Sequence, residues 1–273
     1  MTYKCPACPQ TSMVPGFCRA CAKRKKWVPM LAREESESRL ISEVSVGGLS
    51  RLAVPGFPSV EDMLAGGFVP GSVTLLHGGP GVGKSTLAFQ WCDAVAKLNT
   101  VGPVPHYIAS EQMLEHVKLM AVRIGLAHAP IRVAYSIDVD EVCTLLETWS
   151  PPFAVVDSLQ NLHLYRDVRG AEPVVVCAEL VHVARAKSIA LVLICHETKD
   201  GDYAGPRTLE HLVDCMISLE LPSDDEEDKA PSSLLKLTVH GKYRFGSVPR
   251  IAYVRRDEEG KFYGYTRDIT DPG

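Results

Sequence analysis

The residues with the clearest chemical meaning form one glycine-rich run, Gly78-Gly-Pro-Gly-Val-Gly-Lys84-Ser85. The run matches the pattern G-x-x-x-x-G-K-S/T and lies between an apolar strand candidate and a helical run, the context in which such a loop binds phosphate. Backbone N–H groups can surround the phosphates, Lys84 can reach the β and γ oxygens, and the Ser85 hydroxyl can ligate Mg²⁺. A glycine-rich turn without a ligand is the alternative. The residues expected to hold ATP are Gly78, Gly79, Pro80, Gly81, Val82, Gly83, Lys84, Ser85 and Thr86.

Two acidic residues follow apolar strand candidates and could complete a hydrolytic site. Asp157 ends the run Phe153-Ala-Val-Val-Asp157, where a carboxylate can be the second Mg²⁺ ligand. Glu111 follows the strand candidate 106–109. The carboxyl ends of parallel strands share one edge of a sheet, so Glu111 is our candidate for the base that orients water. Either acid could instead cap the turn or helix that follows it.

A histidine stands at a third strand end. His196 follows the apolar run 191–195, again at the expected ligand edge, where its side chain can donate a hydrogen bond and sense the γ-phosphate. A lone histidine after a strand can also be an ordinary polar terminus. With Lys84, Glu111 and Asp157, His196 makes up the catalytic group that the residues themselves predict.

Four cysteines near the N-terminus form two C-x-x-C hooks, Cys5-Pro-Ala-Cys8 and Cys18-Arg-Ala-Cys21. Four thiolates at this spacing satisfy tetrahedral Zn²⁺, with two disulfides or an iron–sulfur site as alternatives. A head this short has almost no core, so zinc would drive its folding, and its expected role is binding rather than catalysis. The other cysteines, expected to be buried thiols, are Cys92, Cys143, Cys177, Cys195 and Cys215.

The elements that must position these residues alternate between short apolar runs and helical patterns from residue 72 onward. This alternation is typical of parallel strands joined by crossover helices, so we predict a three-layer α/β domain. Strands are expected at 72–77, 106–109, 131–135, 153–157 and 189–195, and helices near 84–98, 112–124, 138–149 and 173–187.

After Leu212 the pattern changes to strands without long helices, which favours an antiparallel extension of the sheet. The charged segment 222–231, bracketed by prolines, cannot support a core and is predicted to be a hairpin loop. The strands of the extension are expected at 213–219, 234–239, 250–254 and 261–265.

The length of 273 residues allows one ordinary α/β core with a small appendage. We expect a zinc-binding head over 1–30, a linker over 31–50 and an ATPase domain over 51–273.

Apolar runs are shorter than the roughly 18–20 residues that a membrane-spanning helix needs, so we predict a cytoplasmic protein without a membrane partner. The net charge of −4 combines a basic head with an acidic body, and the basic run 23–26 could contact nucleic-acid phosphates or be a solvated linker.

Several segments together resemble the RadA/Sms family, bacterial RecA-like ATPases with an N-terminal four-cysteine zinc motif. The resemblance covers nearly the whole chain and implies a RecA-like P-loop fold and a role in recombination and DNA repair. Family members are longer because a Lon-protease-like domain follows the ATPase, and we expect this chain to be a short form. The matching segments are Gly66-Gly-Phe-Val-Pro-Gly-Ser-Val-Thr-Leu-Leu76, Tyr107-Ile-Ala-Ser-Glu111, Val156-Asp-Ser-Leu-Gln160, His196-Glu-Thr-Lys-Asp-Gly201 and Ala204-Gly-Pro-Arg-Thr-Leu-Glu-His-Leu-Val-Asp214.

The family signature K-N-R-F-G has its counterpart in Lys242-Tyr-Arg-Phe-Gly246, with Tyr243 where asparagine is usual. The resemblance implies that Lys242 and Arg244 reach the nucleotide site of a neighbouring subunit, where cations stabilise the charge that develops on the phosphoryl group. It therefore implies a homo-oligomeric ring, with a hexamer as the expected form. In a monomer the two cations would be exposed strand-end charges.

The resemblance also implies that DNA is held by the loops after Asp157 and His196, here 161–172 and 197–207. Each loop combines cations with a tyrosine, a mixture that suits single-stranded or branched DNA but also occurs in solvated loops. The competing hypotheses are an ATP switch whose zinc head binds a protein partner without DNA translocation, and a nucleotide-binding module without hydrolysis. The expected DNA contacts are Arg166, Arg169, Lys199 and Arg207.

Overall fold

The computed structural model describes residues 2–4, 11–12, 28–30, 40–44, 50–98, 101–164, 173–196, 208–221, 233–248 and 250–265. The chain divides into two compact units, residues 1–48 and 49–273. In the first unit a 3-10 turn spans Ile41–Glu43, and three short strands pair antiparallel in the order β2-β1-β3. These strands are β1 (Thr2–Lys4), β2 (Thr11–Ser12) and β3 (Val28–Met30).

The second unit alternates strands with helices. Its strands are β4 (Val73–His77), β5 (His106–Ala109), β6 (Arg132–Tyr135), β7 (Phe153–Asp157), β8 (Ala190–Ile194), β9 (Cys215–Glu220), β10 (Leu234–Tyr243), β11 (Arg250–Arg256) and β12 (Phe262–Tyr265). Its helices are α1 (Pro58–Met63), α2 (Lys84–Leu98), α3 (Leu114–Arg123), α4 (Val139–Trp149), α5 (Pro173–Ala186) and α6 (Thr208–Leu212), and a 3-10 turn spans Leu159–Asn161. The short helices α1 and α6 were not predicted, because fewer than two helical turns leave little periodic pattern to detect.

The strands of the second unit form one sheet in the order β12-β11-β10-β9-β4-β8-β7-β5-β6. Pairing is parallel from β9 to β6 and antiparallel from β9 to β12. The predicted mainly parallel α/β sheet with an antiparallel C-terminal extension is therefore confirmed. One detail differs: the strand expected at 213–219, observed as β9, is bonded in parallel to β4 and antiparallel only to β10, so it belongs to both parts of the sheet.

The core consists of two hydrophobic clusters on opposite faces of this sheet. One cluster contains apolar residues of α1, α2 and α3, and the other contains those of α4, α5 and α6. The central strands β4, β5, β7 and β8 are buried along their whole length, as expected for parallel strands covered on both faces. Polar side chains that could bind a ligand are therefore expected at the ends of these strands.

The scattered cysteines follow the expected pattern, with Cys143 as the exception. Cys143 is half-buried, whereas Cys92, Cys177, Cys195 and Cys215 are buried. Burial raises the pKa of Cys177 and of Cys215 to about 12, so these thiols stay protonated and unreactive at neutral pH. Within the described ranges, each helix is too short or too polar to cross a bilayer.

Candidate nucleotide-hydrolysis site

The glycine-rich loop connects the end of β4 to the first residue of α2, as its sequence context predicted. Gly78, Gly81 and Gly83 have φ values of 144°, 75° and 108°, which side chains of L-residues rarely allow. The Lys84 ammonium donates hydrogen bonds to the carbonyl oxygens of Gly78 at 2.6 Å and of Gly79 at 2.9 Å. The lysine thus lies inside the loop, where phosphate oxygens would be within its reach.

Two of the loop glycines are required by their neighbours as well as by their backbone angles. A Cβ on Gly78 would lie 2.2 Å from the carbonyl oxygen of Leu219, and a Cβ on Gly83 would lie 2.6 Å from Cζ of Phe262. A Cβ on Gly79 would meet nothing within 4 Å. The packing of the loop against β9 and β12 therefore fixes its path at two points.

Asp157 ends β7 in a buried position, with only 6% of its surface exposed. The Tyr107 hydroxyl donates a hydrogen bond to Asp157 Oδ2 at 2.5 Å. Burial raises the pKa of Asp157, and hydrogen bonds from the hydroxyls of Tyr107 and Ser85 offset part of that rise. Its second oxygen, Oδ1, is buried and accepts no hydrogen bond from the residues that the structure describes.

This carboxylate fits a magnesium ion. A buried oxygen without a partner is unfavourable unless a bound group supplies one, and Mg²⁺ prefers carboxylate and hydroxyl oxygens. Ser85, at the start of α2, and Asp157 would hold the ion, which neutralises negative charge on the phosphates when it is bound.

Glu111 and His196 come together at the same edge of the sheet. His196 Nε2 and Glu111 Oε2 are 3.0 Å apart, and both side chains are partly exposed. Helix α3 begins at Leu114, and the acid of its first turn is Glu115, so Glu111 does not lie in the helix as the capping alternative required. Because β4, β8, β7 and β5 are consecutive in the sheet, their carboxyl ends deliver the glycine-rich loop, His196, Asp157 and Glu111 in that order.

Lys242 and Arg244 lie at the opposite edge of the sheet. Arg244 Nε is 3.2 Å from Oδ1 of the buried Asp214, whose Oδ2 accepts a hydrogen bond from the backbone N–H of Val73 at 3.0 Å. Val73 is the first residue of β4, whereas the glycine-rich loop follows its last residue. The two cations are therefore not part of the site formed by their own chain's loop.

Lys242 is held by the end of a short helix. Its Nζ donates hydrogen bonds to the carbonyl oxygens of Glu210 at 2.8 Å and of His211 at 2.9 Å, both in α6. Partial burial, together with the charge of Arg244, lowers the pKa of Lys242. The role of the pair toward a second subunit stays a prediction.

A family model described as the AAA domain matches residues 37–202, well over half of the chain. The chain belongs to the AAA-domain family. The match contains the glycine-rich loop, Glu111, Asp157 and His196, so the family assignment and the site geometry coincide on the same residues.

Curated relatives place this AAA-domain chain in the RadA/Sms family, as the motifs predicted. The DNA repair protein RadA of Haemophilus influenzae is 32% identical over 256 residues, which are 92% of this chain and 52% of that protein. The DNA repair protein RadA of Mycobacterium tuberculosis is 40% identical over 175 residues, which are 60% of this chain and 35% of that protein. The chain thus spans about half or less of the length of these relatives.

Solved structures confirm the fold. A DnaB-like replicative helicase superposes with a TM-score of 0.64 at 15% identity, over 82% of this chain and 66% of that chain. The RadB recombinase superposes with a TM-score of 0.56 at 23% identity, over 79% of this chain and 100% of that chain. The AAA-domain chain therefore has the fold of the RecA-like P-loop ATPases.

Some predicted site residues of the AAA-domain chain lie outside the described residues and stay predictions. They are the zinc candidates Cys5, Cys8, Cys18 and Cys21 and the DNA candidates Arg166, Arg169, Lys199 and Arg207.

Two residues of the site were missed by sequence reasoning. Tyr107 binds the magnesium candidate Asp157, and Gln160 Nε2 donates to the carbonyl oxygen of His196 at 3.3 Å. A tyrosine in an apolar strand looks like a core residue, and only its position beside Asp157 on the neighbouring strand distinguishes it. Gln160 lies in a motif shared with the family, but its neighbours in the sequence do not indicate a partner for its side chain.

Proposed function

We propose that the protein is an ATP-dependent, DNA-binding RadA-like protein of recombination and DNA repair, which hydrolyses ATP at subunit interfaces to act on single-stranded or branched DNA. One observation carries the proposal: His196, the residue that precedes the DNA-loop candidate 197–207, contacts the base candidate Glu111 at 3.0 Å. A DNA strand bound to this loop would thus be linked to Glu111, the candidate for orienting water, through the single contact made by His196. The names of the curated relatives support the same role.

The interface part of the proposal rests on the distance between two edges of the sheet. From Val73 to His77, β4 rises roughly 13 Å at about 3.3 Å per residue, which separates Arg244 from its own glycine-rich loop. A cation at the far edge serves hydrolysis only if another copy presents its loop there, as in a head-to-tail ring. We therefore infer the ring from the requirement that Lys242 and Arg244 take part in hydrolysis at a neighbouring loop.

The deciding experiment is the steady-state ATPase rate of the zinc-loaded protein, measured with and without single-stranded DNA over a range of protein concentrations. We expect DNA to raise the rate, and the rate per chain to rise with protein concentration as interfaces form. A rate that DNA does not change at any concentration would contradict the DNA-acting function. It would favour the ATP switch whose zinc head binds a protein partner.

The loop assignment is tested in the same assay with the double variant Arg166→Ala and Arg169→Ala. We expect this variant to keep the rate measured without DNA and to lose the stimulation. Arg132→Ala is the matched control, because Arg132 is an exposed cation whose guanidinium lies 3.8 Å from the centroid of the Trp149 ring, away from both loops in sequence. Equal loss of stimulation in the control would show that general surface charge, and not this loop, attracts DNA.

A further inference from the structure

The C-terminal hairpin β11–β12 contacts the glycine-rich loop, although β12 lies four strands away from β4 in the sheet. Gln90 of α2 fixes the hairpin by two hydrogen bonds: its Nε2 donates to the carbonyl oxygen of Phe262 at 2.8 Å, and its Oε1 accepts from the Phe262 N–H at 2.7 Å. The Phe262 ring then lies against Gly83. The hairpin is thus attached to both the loop and the helix that follows it.

Arg256, the last residue of β11, makes a direct hydrogen bond to the loop. Its Nη1 donates a hydrogen bond to the carbonyl oxygen of Val82 at 3.2 Å. The preceding residue, Arg255, is exposed, and its guanidinium lies 5.8 Å from the centroid of the Tyr265 ring. Side chains alternate between the two faces of a strand, so these neighbours differ in whether they reach the loop.

The bond to Val82 has a geometric consequence for phosphate binding. The peptide between Val82 and Gly83 is trans, so the Val82 carbonyl and the Gly83 N–H point in opposite directions within one plane. A guanidinium that holds the carbonyl therefore also fixes the direction of the Gly83 N–H. This N–H belongs to the turn whose backbone amides surround the phosphates.

We propose that Arg256 is a positioning residue of the ATPase, which aligns the Val82–Gly83 peptide so that the loop is ready for the phosphates before nucleotide binds. The role differs from that of Lys84, because Arg256 acts through the backbone of the loop. It also differs from the proposed role of Lys242 and Arg244, because Arg256 serves the loop of its own chain and needs no second subunit.

The test compares Arg256→Ala with its neighbour Arg255→Ala by hydrogen–deuterium exchange of residues 78–86 without nucleotide, and by ATPase kinetics. We expect exchange in this segment to be several-fold faster in Arg256→Ala, and its KM for ATP to rise about tenfold with kcat changed less than about threefold, because a misaligned amide weakens binding more than chemistry. Arg255→Ala should match the wild type in both measurements. Arg256→Lys should recover part of the KM, since an ammonium can also bond a carbonyl oxygen.

Two results would overturn the proposal. Unchanged exchange combined with weaker ATP binding would mean that Arg256 contacts the nucleotide directly, and an unchanged KM would mean that the bond to Val82 has no role in binding. If Arg256→Ala lowers the Tm by more than about 5 °C, Arg256→Met takes its place, because methionine keeps an apolar stem and removes the donors. The same two measurements on that variant then decide the question.

Discussion

The buried carboxylate of Asp157 destabilises the folded chain when it is charged, but it provides a candidate ligand for magnesium. The carboxylate is almost fully buried, and burial raises its pKa. Without a metal ion the charged form is therefore held at a free-energy disadvantage in the folded chain. A buried acid kept in this position is understandable if Mg²⁺ supplies the missing partner of Oδ1.

We predict that Asp157→Asn stabilises the protein in the absence of magnesium and nucleotide while abolishing magnesium-dependent ATP hydrolysis. Because the pKa of Asp157 is higher in the folded chain than in the unfolded chain, the wild-type carboxyl adds stability below its unfolded pKa and loses that contribution as the pH rises through its folded pKa. The gain in Tm from the substitution should therefore be larger at pH 8 than at pH 4, close to the ordinary pKa of an aspartate. Thermal unfolding at the two pH values measures it, with about 2–4 °C expected per kcal/mol in a domain of this size.

Asp214 provides the matched control for this prediction. It is buried to a similar degree, with 4% of its surface exposed against 6% for Asp157, but it has cationic partners in Arg185 and Arg244. Asp214→Asn should lower the Tm, because two arginines lose their counter-charge. A decrease in Tm for Asp157→Asn as well would show that its burial carries no penalty.

At the scale of elements, the glycine-rich loop is shaped by strands that lie far from it in the sequence. Leu219 of β9 approaches Gly78, and Phe262 of β12 approaches Gly83. Gly78 and Gly83 are the two fixed glycines of the loop motif, and these contacts leave no room for a side chain at either position. The extension of the sheet is therefore part of the nucleotide site.

We predict that Gly83→Ala lowers the free energy of unfolding by about 2 kcal/mol or more, because a Cβ would strain the positive φ and overlap the Phe262 ring. Gly79→Ala, where a Cβ meets nothing within 4 Å, should change it by less than about 1 kcal/mol. Chemical denaturation of both variants without nucleotide measures the difference. Equal stabilities would mean that the contact between loop and hairpin is easily displaced.

At the scale of the whole molecule, the two edges of the sheet carry different parts of one proposed reaction. The carboxyl edge presents the loop, Asp157, Glu111 and His196, and the amino edge presents Lys242 and Arg244. Residues at the two edges can act on the same nucleotide only when the amino edge of one copy meets the carboxyl edge of the next. A heterologous contact of this kind closes into a ring when its rotation allows.

We predict that two inactive variants restore each other's activity when mixed. Lys84→Ala loses its own loop chemistry but keeps its cations, and Arg244→Ala has the opposite defect, so a mixed ring contains interfaces with both parts intact. Random assembly of equal amounts should restore about a quarter of the wild-type ATPase rate, since each interface needs one particular neighbour. Steady-state rates of each variant and of the mixture measure it.

Arg185→Ala is the control for Arg244→Ala. Arg185 Nη2 and Arg244 Nε are each 3.2 Å from Asp214 Oδ1, so both substitutions remove an ion pair from the same carboxylate. Arg185→Ala should keep most of its ATPase activity. If it is as inactive as Arg244→Ala, or if the mixture of Lys84→Ala and Arg244→Ala stays inactive, Arg244 supports its own fold rather than a neighbouring site.

The sequence by itself determined the features that depend on neighbouring residues. The loop motif, the apolar run before it and the helical pattern after it predicted the nucleotide site and the bounds of α2. A buried strand ending in Asp157, and two others followed by His196 and Glu111, were visible because strands covered on both faces are apolar and their ends are not. The same pattern predicted the parallel sheet that brings these ends to one edge.

Only the tertiary structure decided which strands are neighbours, and hence which side chains meet. The contacts of Glu111 with His196, Tyr107 with Asp157, and Arg244 with Asp214 join residues that no local pattern connects. The strand order also made β9 a parallel neighbour of β4, although the sequence predicted it as part of the antiparallel extension. Each edge of a strand bonds independently, so the residues within a strand predict its burial, whereas the packing of the whole chain selects its partners.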